Sequence, residues 1–309
     1  MKITHGGIGR EKGAGGRRGT GEGIEVLFCG TGAADWDWEN YDGCTGAAFR
    51  GNRRDAAGGR SGASAMRGSC STLFDGRVLI DCGTTGFRAL VRWGVDPRKL
   101  REVWFTHSHP DHCSPTEVGA LLDARGPRAA PLVLRGTPPL LDRLVAALGK
   151  SSGTGRFVLR PIEPLVPFRT RGWLATPLPA NHLTPVPGER PVHFLVRAPQ
   201  ASFLYALDGA WMTAAARRAI GSAPLDLVVW DATVESPGDW RMFEHNDLGM
   251  VRAMTARLAK DGVVRKDTAL VLDHIARTLW RAPVRAPRPF RMSRDGMRIA
   301  IGARGRPQA

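Results

Sequence analysis

The chain has 309 residues, about twice a typical domain of roughly 150, and its 42% hydrophobic and 24% charged residues are an ordinary globular mixture, so one large α/β domain or two small ones fit. No apolar run approaches the about 20 residues of a membrane helix, and no apolar stretch follows Arg17 and Arg18 as a secretory signal would require; the expectation is a cytoplasmic protein with no membrane contact. The net charge of +15 is concentrated in residues 1–23 (+3), 50–68 (+4) and 281–291 (+4), all rich in Gly, Ala or Pro, so it can steer an anionic substrate but defines no nucleic-acid-binding face.

Residues 1–23 hold nine glycines and almost nothing apolar, and burial there cannot offset the entropy of ordering them; they read as a disordered basic tail. The folded domain starts at Ile24, where IEVLFC runs into Gly30, Thr31 and Gly32 as a strand and tight turn. The Gly/Ala/Arg-rich stretch 50–68 reads as a mobile loop. STLFD and RVLID, divided by Gly76, read as a hairpin, followed by a helix near 85–93 and a strand at 102–106. Ser114, Pro115 and Glu117 form a helix-start signal, in which serine caps and glutamate reaches back to free amides. Strands near 157–160, 173–178, 192–197, 202–207, 225–231, 268–273 and 297–302, with helices near 138–149 and 247–260, complete a layered α/β pattern with no repeat and no linker dividing the core. Residues 24–302 thus read as one domain, with 303–309 as a tail. Five cysteines (Cys29, Cys44, Cys70, Cys82, Cys113) at scattered spacings, with no C-x-x-C pair, read as reduced, mostly buried thiols.

The chemistry is concentrated in HSHPDH, residues 107–112, between a strand and a helix. His107, His109, Asp111 and His112 place four potential metal ligands in six residues. At the end of an extended strand the two-residue spacing points His107 and His109 to one side, leaving Asp111 and His112 for a second position. Imidazole and carboxylate suit Zn²⁺, Mn²⁺ or iron, so two adjacent cations are chemically reasonable. His182, Asp208 and His274 each follow an apolar strand run, where α/β proteins place functional groups.

In these residues the sequence resembles the metallo-β-lactamase superfamily, whose H-x-H-x-D-H motif His107 to His112 match in full, with His182, Asp208 and His274 following in the family's order. The resemblance implies a four-layer αββα sandwich over 24–302 and a dinuclear site. In it His107, His109 and His182 hold one metal, Asp111, His112 and His274 hold the other, and Asp208 bridges. PLPANH before His182, HNDL at 245–248, VLDHI around His274 and DGMRIAIG at 295–302 are each similar to the phosphoribosyl cyclic phosphate phosphodiesterases. That likeness implies a metal-dependent phosphodiesterase acting on a small or cyclic anionic phosphodiester. A hydroxide shared by the two cations would be the nucleophile, and Asp111 and Asp208 would be required at the reacting centre. His245 resembles an additional histidine of phosphodiesterases and of the tRNA 3′-end maturase, placed to bind a phosphoryl oxygen or protonate the leaving alkoxide. A maturase-like nuclease and a lactonase or thioesterase using the same metals are the alternatives, with nucleic acid a less favoured partner and a homodimer left open. Asp81 and Asp231, at strand ends, are candidates to orient ligand histidines. His193 and His5 read as structural and tail residues. Trp36 to Cys44 retains one cysteine where that group has a structural-zinc cluster, so WDWENYDG reads as a lining of the site.

Overall fold

The computed structural model describes residues 23–38, 41, 66–149, 155–281 and 284–302. The expected tails, most of the 50–68 loop, His5 and Cys44 lie outside the described residues. Met66, Arg67 and Gly68, the end of that loop, are packed: the Arg67 guanidinium donates to Thr31 Oγ1 (2.6 Å) and to the Ser293 carbonyl (2.9 Å), and the Gly68 N–H donates to Asp295 (2.7 Å).

Strands β1 (Ile24–Gly30), β2 (Ser71–Phe74), β3 (Val78–Ile80), β4 (Glu102–Trp104), β5 (Leu132–Gly136) and β6 (Phe157–Pro161) lie side by side in chain order. The first three are antiparallel and β3 to β6 are parallel. A second sheet repeats the plan with β7 (Phe168–Thr170), β8 (Trp173–Pro179), β9 (Val192–Arg197), β10 (Ser202–Ala206), β11 (Leu227–Asp231), β12 (Ala269–Asp273) and β13 (Arg291–Met292). There β7 to β10 are antiparallel and β10 to β13 are parallel. β14 (Arg298–Ile301) returns to the first sheet and closes it against β1. The β2–β3 hairpin turns through the three residues Asp75, Gly76 and Arg77, with Asp75 and Gly76 at positive φ (51° and 61°) and the Arg77 N–H donating to the Phe74 carbonyl (3.0 Å).

Strand alternation divides the apolar residues into three cores. Val26 and Phe28 of β1 face inward between the sheets, where Phe74 stacks on Phe203 of the second sheet with centroids 4.3 Å apart. Leu27 and Cys29 face the opposite way, toward α1 (Gly86–Arg92), α2 (Pro115–Arg125) and α3 (Pro138–Leu148). The outer face of the second sheet, through Leu204, Val228, Trp230 and Leu272, is covered by α4 (Ala214–Ile220) and α5 (Leu248–Lys260). The arrangement is the expected four-layer αββα sandwich. Each fully buried large side chain in it contributes roughly 1.5–3 kcal/mol. Among the described residues no helix is long and apolar enough to cross a membrane.

The α2 cap forms with one change. Ser114 accepts from the Glu117 N–H as expected (3.4 Å), but the Glu117 carboxylate does not turn back. It accepts from the Phe87 and Arg88 amides (2.9 and 3.1 Å) and from Arg88 Nε (3.1 Å), tying α2 to the start of α1. Three amide and guanidinium donors on a neighbouring helix outcompete one local amide.

Candidate metal centre

The candidate ligand residues lie at or just past the carboxyl ends of strands, on one edge of the sandwich, whereas His245 lies between the turn Trp240–Phe243 and α5. β4 leads into the 107–112 loop, β8 into His182, β10 into Asp208 and β12 into His274. Asp81, Asp208 and His274 sit at positive φ (62°, 42° and 58°) immediately or two residues past their strands, a strained conformation for residues other than glycine. The loop also needs an unobstructed neighbour. Gly83 passes so close that a Cβ there would lie 1.8 Å from the Asp111 carbonyl oxygen. On the other side, Cys82 clamps the loop by accepting from Ser114 N–H (2.9 Å) and donating to the His112 carbonyl (2.8 Å).

The side chains converge as two groups. His107, His109, His182 and Asp208 bring one donor atom each within 4.8 Å of one another, and so do Asp111, His112 and His274. In the first group His107 Nε2 and His182 Nε2 lie 3.0 and 3.1 Å from His109 Nδ1. In the second, His112 Nε2 is 3.2 Å from His274 Nε2, and Asp111 Oδ2 is 3.5 and 3.4 Å from these two nitrogens. Asp208 stands between the groups and turns one oxygen to each. Its Oδ2 is 3.6 and 3.7 Å from His107 and His182, and its Oδ1 is 3.1 and 3.3 Å from His112 and His274.

The remote nitrogens of the rings are held separately. His112 Nδ1 donates to Asp81 (2.8 Å), His182 Nδ1 donates to the Glu244 carbonyl (3.0 Å), His107 Nδ1 lies 3.0 Å from Thr106 Oγ1, and His274 Nδ1 lies 2.7 Å from Thr233 Oγ1. A ring that donates through Nδ1 in its neutral form presents a lone pair at Nε2. Several lone pairs and the Asp208 oxygens therefore meet at about 3 Å, and Asp208 Oδ1 is buried with no hydrogen-bond partner. Electron-rich atoms at that spacing repel unless a proton or a metal cation lies among them. Around a tetrahedral cation with bonds of about 2.0–2.1 Å, neighbouring donors stand about 3.3 Å apart, which these donors match. The residues fit divalent metal.

Protonation follows the same grouping. Burial lowers His107 well below the ordinary imidazole range and His182 to about 4, so both are neutral donors near pH 7. Burial also pushes against the charged forms of Asp111 and Asp208, but His112 and His274 outweigh it and keep both carboxylates well below their usual range. His112 and His274 are raised, since Asp208 and Asp111 overcome the burial that would lower them.

His245 joins the cluster, with a ring nitrogen within 4.8 Å of donor atoms of Asp208 and His274. Its Nδ1 donates to Asp231 (2.9 Å), which overcomes burial and raises the imidazole to about 9. Asp231 does more than the sequence indicates. Besides His245 it accepts from the Gly209 amide beside Asp208 (3.1 Å), and from the Thr233 amide and hydroxyl (2.9 and 2.6 Å). It thereby orients His245 directly, and His274 through Thr233. Thr106, Thr233 and the Glu244 carbonyl carry no sequence signal, because single hydroxyls and backbone oxygens look alike everywhere in a sequence. His193 is buried beneath Gly209, where a Cβ would lie 2.9 Å from its ring. Trp36 donates to the carbonyl after His274 (2.7 Å) and, with Asp37, Trp38, Thr84 and Arg88, lines an open groove of about 450 Å³. The four described cysteines are free and buried.

Residues 71–208, less than half of the chain, match the family model of the metallo-beta-lactamase superfamily. A curated relative, Ribonuclease Z of Bradyrhizobium diazoefficiens, is 34% identical over 89 residues; the match spans 28% of this chain and only 29% of that protein's length. Among solved structures, a diphosphatase from the PhnP family superposes with a TM-score of 0.63 at 17% identity, covering 89% of this chain and 97% of that one. The short form of human tRNase Z superposes with a TM-score of 0.61 at 18% identity, covering 90% and 99%. At these identities the structural likeness establishes the fold, which is that of metallo-β-lactamases.

Proposed function

We propose that this hydrolase is a metal-dependent phosphodiesterase of the cytoplasm that cleaves a small or cyclic anionic phosphodiester. The observation that carries the reading is Asp208, a buried carboxylate with one oxygen toward each of two histidine groups and His245 beside it. Phosphodiester cleavage needs charge neutralisation on the phosphoryl oxygens, an activated water and a proton for the leaving alkoxide. Bound here, two divalent cations, Zn²⁺ or Mn²⁺ with iron also suited to the donors, supply Lewis acidity and lower the pKa of a water. His107, His109 and His182 would hold one, Asp111, His112 and His274 would hold the other, and Asp208 has one oxygen toward each group. Asp81, Thr106, Thr233 and the Glu244 carbonyl keep the ligand rings in place. His245, fixed through Nδ1 by Asp231, binds a phosphoryl oxygen or delivers the proton to the departing alkoxide.

The relatives support phosphate-ester chemistry, since they include a diphosphatase and ribonucleases Z. The 34% identical stretch favours a second reading, a nuclease of the Ribonuclease Z kind. Hydrolysis of bis(p-nitrophenyl) phosphate by Mn²⁺- or Zn²⁺-loaded protein tests the first reading. Wild type should be active, His245→Ala strongly slowed and Asp208→Ala inactive. Wild type that cleaves only a lactone or thioester would overturn it, and cleavage of a tRNA precursor in preference to small diesters would move the assignment to the nuclease.

A further inference from the structure

The loop between β8 and β9, residues 183–190, follows His182 directly and has no regular structure. Leu183, Pro185, Pro187, Gly188 and Arg190 are exposed, yet Glu189 turns inward and its Oε2 accepts from the Ser108 hydroxyl (2.5 Å). Ser108 is 5% exposed and stands between His107 and His109 in the ligand loop. Glu189 Oε1 is buried as well and has no hydrogen-bond partner. Burial pushes the Glu189 carboxyl up, and the Ser108 hydroxyl is the contact that most opposes this.

Water is the best solvent for a glutamate in an exposed loop. Turned inward with one oxygen bare, the carboxylate gives up hydration that a single bond does not fully replace, so the contact adds little net stability. Its value is where it pins the chain. In an extended segment neighbouring side chains leave on opposite faces. Here the rings of His107 and His109 meet the cluster, centroids 4.8 Å apart, and the hydroxyl between them meets Glu189. Holding that hydroxyl fixes the roll of the segment about its own axis, and so the direction of both rings. The same bond ties the segment to the loop that leaves His182. All three histidines of one group thus stand on two stretches of chain that Glu189 joins, and beyond the loop the Val192 N–H donates to the Thr106 carbonyl (3.0 Å). His112 and His274 of the other group are held separately, by Asp81 and Thr233.

We propose that Glu189 is a positioning residue for the metal of His107, His109 and His182: through Ser108 it locks the loop after His182 onto the 107–109 segment and sets the three rings relative to one another. This role rests on the reading of the cluster as a two-metal centre. Zn²⁺ is titrated into the metal-free chain against a chromophoric chelator, and the step that His182→Ala abolishes marks the metal of that group. In Glu189→Ala the affinity of this step should fall about tenfold or more, with the other step within about twofold of wild type. Glu189→Gln, whose carbonyl oxygen accepts the same hydroxyl, should keep most of the affinity. Ser108→Ala should weaken the same step. The Ser108→Ala/Glu189→Ala double variant should lose no more than the worse single variant, because one bond is broken either way.

Thermal melts of the metal-free variants separate positioning from support. A Glu189→Ala chain whose Tm falls while the ratio of its two Zn²⁺ affinities stays at the wild-type value makes the contact a brace for the fold and overturns the proposal. Equal weakening of both steps, or losses that add in the double variant, also overturn it. Wild type without a step that His182→Ala abolishes overturns the two-metal reading and the proposal together. Wild type with both steps, and a first step unaltered in Glu189→Ala, overturns the proposal alone.

Discussion

On one flank of Asp208, His112 and His274 are 0% and 2% exposed and are fastened by side chains just past strand ends, Asp81 and Thr233. On the other flank His109 is half-buried, the His245 side chain is 14% exposed, and His182 is fastened to a backbone carbonyl of the 240–245 turn. One half of the cluster is built into the sandwich, where its geometry is fixed by strand ends. The other half has His107 and His182 buried as well but meets solvent at His109 and His245, and it depends on a loop that also carries the exposed rings of Trp240 and Phe243. Tight metal retention should therefore be governed by the buried flank, and turnover and substrate choice by the open one.

The harshest way to break this division is Asp208→Ala, which acts on both flanks at once. Metal analysis should find both groups weakened, and activity should disappear; a variant that still hydrolyses diesters would show that Asp208 does not connect the two groups. His245→Ala removes a ring that stands beside Asp208 and is stacked on His274, but none of the residues assigned to hold metal. Turnover should fall by about 10²- to 10⁴-fold, the worth of a positioned proton donor, with metal content retained. Loss of metal along with turnover would move His245 among the ligands. Asp81→Ala acts on the buried flank through His112, and on His107 through Thr106, which Asp81 also holds (2.8 and 2.9 Å); it should lower metal affinity by about 10- to 100-fold, since His112 loses the carboxylate that fixes its ring. An affinity within twofold of wild type would mean that burial by itself orients His112.

The smallest expected effect comes from His193, under the Asp208 turn. Burial lowers it from 6.5 to about 4, although Asp231 and Asp208 pull the other way. As pH falls, the unfolded chain takes up this proton near 6.5 and the folded chain only near 4. The unfolded state therefore binds more protons across that window, and stability is lost on acidification. Thermal melts of metal-free protein should give His193→Gln a shallower fall in Tm between pH 6.5 and 4 than wild type; parallel curves would mean that His193 already titrates near 6.5 in the fold.

Much of the cluster was legible before the fold was known, because HSHPDH is dense and His182, Asp208 and His274 each end an apolar run. Asp81 was legible as a strand-end carboxylate and does meet His112. The less legible parts share a physical cause. Glu117 carries a capping signal, yet three donors on α1 claim its carboxylate. Helix α4, with only seven residues, and β13, with two, are too short for their periodicity to stand out. The triple duty of Asp231 depends on residues 208 to 245 folding back on one point, which strand-end position alone does not indicate.

The sequence by itself determined the layers and the ligand types, since alternation selects which face of each strand is buried and imidazole and carboxylate are donors suited to divalent metal. Only the tertiary structure decided how the ligands are shared. Asp208 comes to stand between two histidine groups because β4, β8, β10 and β12 end on the same edge of the sandwich. The segment 240–246 comes to adjoin the cluster because His182 and Trp211, from distant strands, bond to the Glu244 carbonyl and to Asn246, and those distances are set by packing rather than by spacing along the chain.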